Sequence, residues 1–184
     1  MPAATEYGDY AQWEFERRYL LRALPPELDR DGPRTRLTDL YIDSTRFRVR
    51  EHRNLHNDFC VMKLGQKFTA REGEYGRIII TNSYLTRAEY DLFNQLPGRR
   101  IVKMAWPYPH DGRRYGIDAF EGALSGLILA EIEFTSEQQM RDVPPPPFAC
   151  VEVTNRIEFT GGYLAGRSFA DLRPLVDELT TSIG

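Results

Sequence analysis

Cysteine is scarce in this chain: Cys60 and Cys150 are the only two among 184 residues, and they lie far apart with no partner at metal-ligand spacing. That argues against a disulfide scaffold and against a cysteine zinc site, and it fits two thiols in a reducing compartment. Histidine is nearly as rare, at three. His52, His56 and His110 are scattered over loop and strand-end positions and are expected to be solvated rather than ligands or bases. No apolar run approaches the roughly 18 residues of a membrane span, and no N-terminal apolar segment has the form of a signal peptide. The expectation is a cytoplasmic protein with no membrane partner. Nor is positive charge in excess. The net charge of -3 argues against a general nucleic-acid binder held by backbone phosphates, so no DNA partner is expected. Gly-rich phosphate loops of the Walker or dinucleotide type and a serine nucleophile elbow are missing as well. Any phosphate site must therefore be a local concentration of basic side chains.

What the chain does have is an ordinary globular composition, 41% hydrophobic and 28% charged, in a length suited to one domain. Residues 1–12 are expected to form a flexible polar tail, and 13–184 a single domain without internal repeats. Strands are expected over Trp13 to Leu21, Leu40 to Asp43, Arg46 to His52, Phe59 to Leu64 and Glu74 to Asn82. Four more should run over Arg100 to Trp106, Tyr115 to Glu121, Leu127 to Ser136 and Val151 to Phe159. Residues 29–38 read as a loop and 65–73 as a turn. The capping-box pattern Thr86-Arg87-Ala88-Glu89 predicts a helix from Arg87 to Gln95. The stripe Leu172, Leu175, Val176 and Leu179 predicts a final helix from Leu172 to Ser182, with Pro174 admissible only in its first turn. Eight or nine short strands with a few helices describe an α+β protein whose mostly antiparallel sheet can close into a barrel, which at eight strands leaves room for side chains or one small ligand.

The charges follow the strand period. In Glu14-Phe15-Glu16-Arg17-Arg18 the residues Glu14, Glu16 and Arg18 share one face while Phe15 and Arg17 take the other. The same alternation returns in Arg46-Phe47-Arg48-Val49-Arg50 and Ala130-Glu131-Ile132-Glu133-Phe134. The acidic set is Glu14, Glu16, Glu72, Glu74, Asp118, Glu131 and Glu133; the basic set is Arg18, Arg48, Arg50, Lys63 and Lys103. A single such pair is usually just a solvated face. As a set, with apolar residues opposite the charges, they suit the inside of a barrel. There, carboxylates would meet hard divalent cations such as Mg or Mn, and guanidiniums and ammoniums would meet phosphate oxygens.

Taken in order, these residues resemble the CYTH, or triphosphate tunnel metalloenzyme, family. Its Glu-x-Glu-x-Lys hallmark is matched by Glu14 to Arg18, with Arg in the last place. Further matches are Tyr41, Arg48-x-Arg50, Lys63, Glu72-x-Glu74, Lys103, Ile117-Asp118-Ala119-Phe120, Gly126-Leu127, Ala130-Glu131-Ile132-Glu133 and Glu152-Val153-Thr154, over residues 13 to 165. Two departures are Ala105, where the family commonly carries Arg, and Phe159-Thr160-Gly161, where it carries Tyr-x-Asn. The resemblance implies a closed eight-stranded antiparallel β-barrel, or tunnel, that hydrolyses a triphosphate-bearing small molecule with Mg or Mn. By position, Glu14, Glu16, Glu131 and Glu133 would be catalytic and hold metal, with Glu74 and Asp118 assisting. Arg18, Arg48, Arg50, Lys63 and Lys103 would grip phosphates. Nucleotide cyclisation, polyphosphate binding without catalysis and a purely structural barrel stand as alternatives.

Overall fold

The computed structural model describes residues 10–69 and 71–181; the expected tail, apart from residues 10–12, lies outside them, as does Ser182. Nine strands form one antiparallel sheet: β1 (Gln12–Leu20), β2 (Thr35–Ile42), β3 (Phe47–Asn54), β4 (Cys60–Thr69), β5 (Arg77–Leu85), β6 (Gly98–His110), β7 (Arg113–Phe120), β8 (Ile128–Phe134) and the two-residue β9 (Val151–Glu152). Their order is β5-β4-β3-β2-β6-β7-β8-β1-β9, and an additional β1–β5 pairing closes eight of them into the expected barrel. The first half of β1 closes the barrel by pairing Gln12 to Phe15 with β5. Beyond it, Glu16 N–H donates to the Gly76 carbonyl at 2.9 Å and Arg18 N–H to Thr154 Oγ1 at 3.1 Å, so the strand that carries the main acidic motif leaves no open edge there.

Several boundaries differ from the sequence expectation. Strand β2 begins at Thr35, inside the run read as a loop, because Arg36 and Thr38 alternate with the buried Leu37 and Asp39. Strand β4 continues to Thr69 through the expected turn, pairing Lys67 with Ile80 and Thr69 with Ile78. Strand β5 starts at Arg77, leaving Glu72 and Glu74 in the connection before it. Strand β6 runs on through Pro107 and Pro109, where it pairs only with β7, and a strand with a free side tolerates prolines. The expected strand from Val151 keeps only Val151–Glu152, since the chain then turns and Asn155 Oδ1 accepts the Tyr75 and Gly76 amides at 3.1 and 3.3 Å.

The outward apolar residues are covered in patches. Helix α1 (Arg87–Phe93) brings Tyr90 onto Leu40, Ile42 and Val49. Its predicted capping box is formed: Thr86 Oγ1 accepts from Glu89 N at 3.3 Å, and Glu89 Oε2 accepts from Thr86 N at 2.7 Å. Thr86→Ala should lower stability by about 1 kcal/mol, seen as a shift in urea midpoint at unchanged slope. The connection carrying Leu24 and Leu28, helix α2 (Glu137–Asp142) and Val143 cover Tyr19, Ile132, Ile117 and Tyr115.

Inside, one end of the barrel is apolar. Leu20, Ile101, Phe120 and Leu129 cluster with Phe159, Leu164 of helix α3 (Gly161–Leu164), and Leu172 and Leu179 of helix α4 (Phe169–Thr181). Helix α4 starts earlier than expected because Ser168 and Asp171 cap it reciprocally, with Ser168 N–H donating to Asp171 Oδ2 at 2.8 Å. Pro174 is consequently its sixth residue rather than a first-turn residue, and the Ala170 carbonyl loses an intrahelical donor. Among the described residues no helix is long and apolar enough to cross a membrane.

Candidate active site

The barrel encloses a cavity of about 660 Å³, within the roughly 300–1,000 Å³ of small-molecule sites. Strand periodicity decides its lining. Alternate residues of the strands face inward, so β1 contributes Glu14, Glu16 and Arg18, β3 contributes Arg48, Arg50 and His52, β4 contributes Lys63, Gly65 and Lys67, and β8 contributes Leu129, Glu131 and Glu133. Seven Lys or Arg side chains (Arg18, Arg46, Arg48, Arg50, Lys63, Lys67 and Lys103) and five carboxylates (Glu14, Glu16, Asp39, Glu131 and Glu133) line it. The lining is therefore positive on balance although the whole chain is not.

The carboxylates are tied to particular cations. Arg18 bonds Glu16 through one nitrogen and Glu131 through Nε at 3.0 Å. Lys103 bonds Asp118 and lies 3.7 Å from Glu131 Oε2. Arg50 presents its fork to Asp39, one bond of 2.5 Å to each carboxylate oxygen, the bidentate geometry that suits guanidinium. Lys67 Nζ lies 2.8 Å from Glu14 and 3.8 Å from Glu16.

Other charges face their own kind. Register sets Glu16 opposite Glu133 across β1 and β8, and Arg50 opposite Lys63 across β3 and β4, arrangements that destabilise a sheet without a counter-charge. Glu133 forms no ion pair among the described residues, and partial desolvation with Glu14 and Glu16 nearby holds its carboxyl above the usual range. On the basic side, the buried Arg48 Nε lies 3.9 Å from Asp39 Oδ1 and has no hydrogen-bond partner among the described residues. Lys63 has the face of Tyr84 at 5.1 Å as its neighbour, and Arg46 lies over Phe68 at 4.4 Å. Burial and the adjacent Arg50 and Lys63 push His52 down to about 3, so its imidazole is neutral. Burial tends to raise Asp39, but Arg50 and Arg48 more than offset it and hold the carboxyl down to about 2. For Asp118 desolvation wins over Lys103, and its carboxyl sits at about 6.

Of the residues singled out in the sequence, Glu14, Glu16, Arg18, Arg48, Arg50, Lys63, Lys103, Glu131 and Glu133 all line this one cavity. Asp118 is buried behind it, held by Lys103. Glu74 does not join them. It lies in an outer groove with Arg17, Arg77 and Glu137, pairs with Arg71 and Arg77 at 3.3 Å each, and is kept outside by the late start of β5. Glu72 is exposed in the same connection. His52, expected in solvent, is inside the cavity. Three charged cavity residues stood outside the acidic and basic sets, Arg46 at the head of the Arg46, Arg48, Arg50 row and, less visibly, Asp39 and Lys67. Asp39 belongs to the alternation Leu37, Asp39, Tyr41, and Lys67 to Lys63, Gly65, Lys67; period-2 spacing was the signal for both.

An inorganic triphosphatase of Nitrosomonas europaea is 32% identical to this chain over 119 residues, which make up 59% of this chain and 76% of that protein. The chain belongs to the CYTH family. No family model matches it. The crystal structure of the inorganic triphosphatase NE1496 aligns with a TM-score of 0.55 and 24% identity over 83% of this chain and 93% of that one, and a second structure of NE1496 gives the same score over 96% of its length. The CYTH barrel is thus common to these chains. Within this CYTH chain Ala105 faces Asp118 across β6 and β7, so Lys103 is the cation that pairs with Asp118 among the described residues.

Proposed function

We propose that this protein is a metal-dependent triphosphatase that hydrolyses a triphosphate held along the tunnel. The observation that carries the reading is the incomplete pairing of tunnel charges of both signs among the described residues: Arg46 and Lys63 have no carboxylate ion pair, Arg48 reaches only Asp39, at 3.9 Å and already bonded by Arg50, and Glu133 forms no ion pair. A ligand that is itself a polyanion carrying a divalent cation satisfies both. The family membership and the triphosphatase relative support the same chemistry.

The carboxylates fit Mg or Mn in kind, since both are hard cations that take oxygen ligands. Among the described residues no three acidic or histidine side chains converge on one point, which suits an ion that keeps waters and takes one or two carboxylates with phosphate oxygens. Its one or two protein ligands would come from Glu14, Glu16, Glu131 and Glu133. When bound, the cation supplies Lewis-acid charge to the phosphoryl oxygens.

The chain's own residues do the rest by positioning and electrostatics. Asp39 fixes the Arg50 fork, and Arg48 and Lys63 beside it bind the phosphate chain. Arg18 and Lys103 hold Glu131 from two sides and aim it into the tunnel. Water adds to the terminal phosphorus as the bridging P–O bond breaks, giving phosphate, the shortened anhydride and a proton. The basic side chains stabilise the charge that collects on the leaving oxygen.

Binding without hydrolysis is the second reading, favoured by Ala105, which leaves the tunnel one guanidinium short of the family pattern. One assay separates them: incubation with tripolyphosphate, ATP or thiamine triphosphate, each with Mg or Mn, while phosphate and cyclic nucleotide are followed. Phosphate release that disappears on chelation is expected. Tight binding of tripolyphosphate with no phosphate released would overturn hydrolysis in favour of binding.

A further inference from the structure

Glu14 and Glu16 already hold a cation, and it belongs to the protein. Lys67 reaches them from β4 across β5: its partner there, Ile80, pairs in turn with Gln12 of β1. Its ammonium sits 2.8 Å from Glu14 Oε1 and 3.8 Å from Glu16 Oε2. Glu16 is further neutralised by Arg18, but Glu14 has Lys67 as its ion-pair partner among the described residues. Burial alone would raise the Glu14 carboxyl, and Lys67 brings it below the ordinary range. A divalent cation approaching this pair must therefore displace an ammonium first.

The two basic residues differ in how easily they can leave. The Arg18 side chain is 7% exposed and also donates to the Phe159 carbonyl, whereas the Lys67 side chain is 42% exposed. Lysine is a point charge on a flexible stem, with no fork to hold it in one geometry. Lys67 also shares the inner face of β4 with Lys63, which forms no ion pair among the described residues. A phosphate chain in the tunnel would offer its ammonium a new anion within reach of the same stem.

We propose that Lys67 is an internal cation lock: it occupies the Glu14 and Glu16 carboxylates in the ligand-free protein, transfers to a phosphate oxygen when a polyphosphate enters, and so makes tight metal binding conditional on phosphate binding. The inference rests on the triphosphatase reading. It makes Lys67 a positioning residue, one that acts through the carboxylates it covers.

The test reads metal binding directly, by electron paramagnetic resonance of free Mn²⁺ titrated with protein in the absence of any phosphate. Lys67→Met should bind Mn²⁺ about tenfold more tightly than the unaltered protein, because the competing ammonium is gone, while Lys67→Arg should show no such gain. Adding a non-hydrolysable imidotriphosphate should narrow the gap between Lys67→Met and the unaltered protein. The exposed position keeps both variants folded, which thermal melting checks. Equal or weaker Mn²⁺ binding by folded Lys67→Met overturns the lock and leaves the triphosphatase reading intact, since that reading is judged by phosphate release from the unaltered protein. Absence of Mn²⁺ binding in every protein, with and without imidotriphosphate, overturns both.

Discussion

Replacing Glu131 with Gln is expected to cut phosphate release by roughly 100- to 1,000-fold, the range seen when one preorganised charge-stabilising group is removed from an active site. The size follows from where this carboxylate stands. It is half-buried in the tunnel wall, held by Arg18 at 3.0 Å and Lys103 at 3.7 Å, and those cations keep its carboxyl well below the usual range despite burial. Gln keeps the shape and removes the charge. The fold should survive, because each cation retains a second carboxylate: Arg18 keeps Glu16 and Lys103 keeps Asp118. The measurement is turnover with tripolyphosphate and Mg or Mn, beside a thermal melt of both proteins. Ordinary turnover by a folded Glu131→Gln protein would remove Glu131 from the chemistry and with it the assignment of the tunnel as the site.

Alternation made most of this tunnel legible in the sequence. Glu14, Glu16 and Arg18, or Glu131 and Glu133, stand two apart, and a strand has only two faces, so their side chains share one wall. Barrel closure then brings separate walls together, which no local spacing encodes. The pairing of Arg50 with Asp39 is of that kind, since it depends on β2 lying beside β3 in a set register. Asp39 was missed for a further reason: it follows a run rich in Asp, Gly, Pro and Arg, and turn-forming composition outweighed the short alternation at its end. Glu74 fails in the opposite way. Its Glu-x-Glu spacing is the same as in β1, but the chain at residues 71–76 turns, and period-2 spacing outside a strand puts nothing on a common face. The cap of the apolar end was half visible, in the stripe of α4 but not in the Phe159 and Leu164 that join it.

Removing the charge of Asp39 should be the most destabilising single change in the tunnel. In Asp39→Asn the Arg50 guanidinium loses both its 2.5 Å carboxylate bonds and is left beside Arg48 and Lys63, its neighbours on β3 and β4. Breaking a buried ion pair by removing one partner costs about 3–5 kcal/mol. At about 2–4 °C per kcal/mol for a chain of this size, the melting temperature should fall by roughly 10 °C. Two further readouts tie the loss to charge rather than to packing. Tripolyphosphate should restore part of the melting temperature of the variant, because it returns negative charge to the same cations. The pH dependence should also change. In the folded protein Asp39 titrates at about 2, against an ordinary value of about 3.9. The stabilisation it provides is therefore complete above the ordinary value and is lost as pH falls through that window toward the folded one. The unaltered protein should lose stability over that acid range, and the gap between it and Asp39→Asn should close as the pH approaches 2. A gap that stays constant down to pH 2, or a variant as stable as the unaltered protein at pH 7, would show that Arg50 does not depend on Asp39 for its counter-charge.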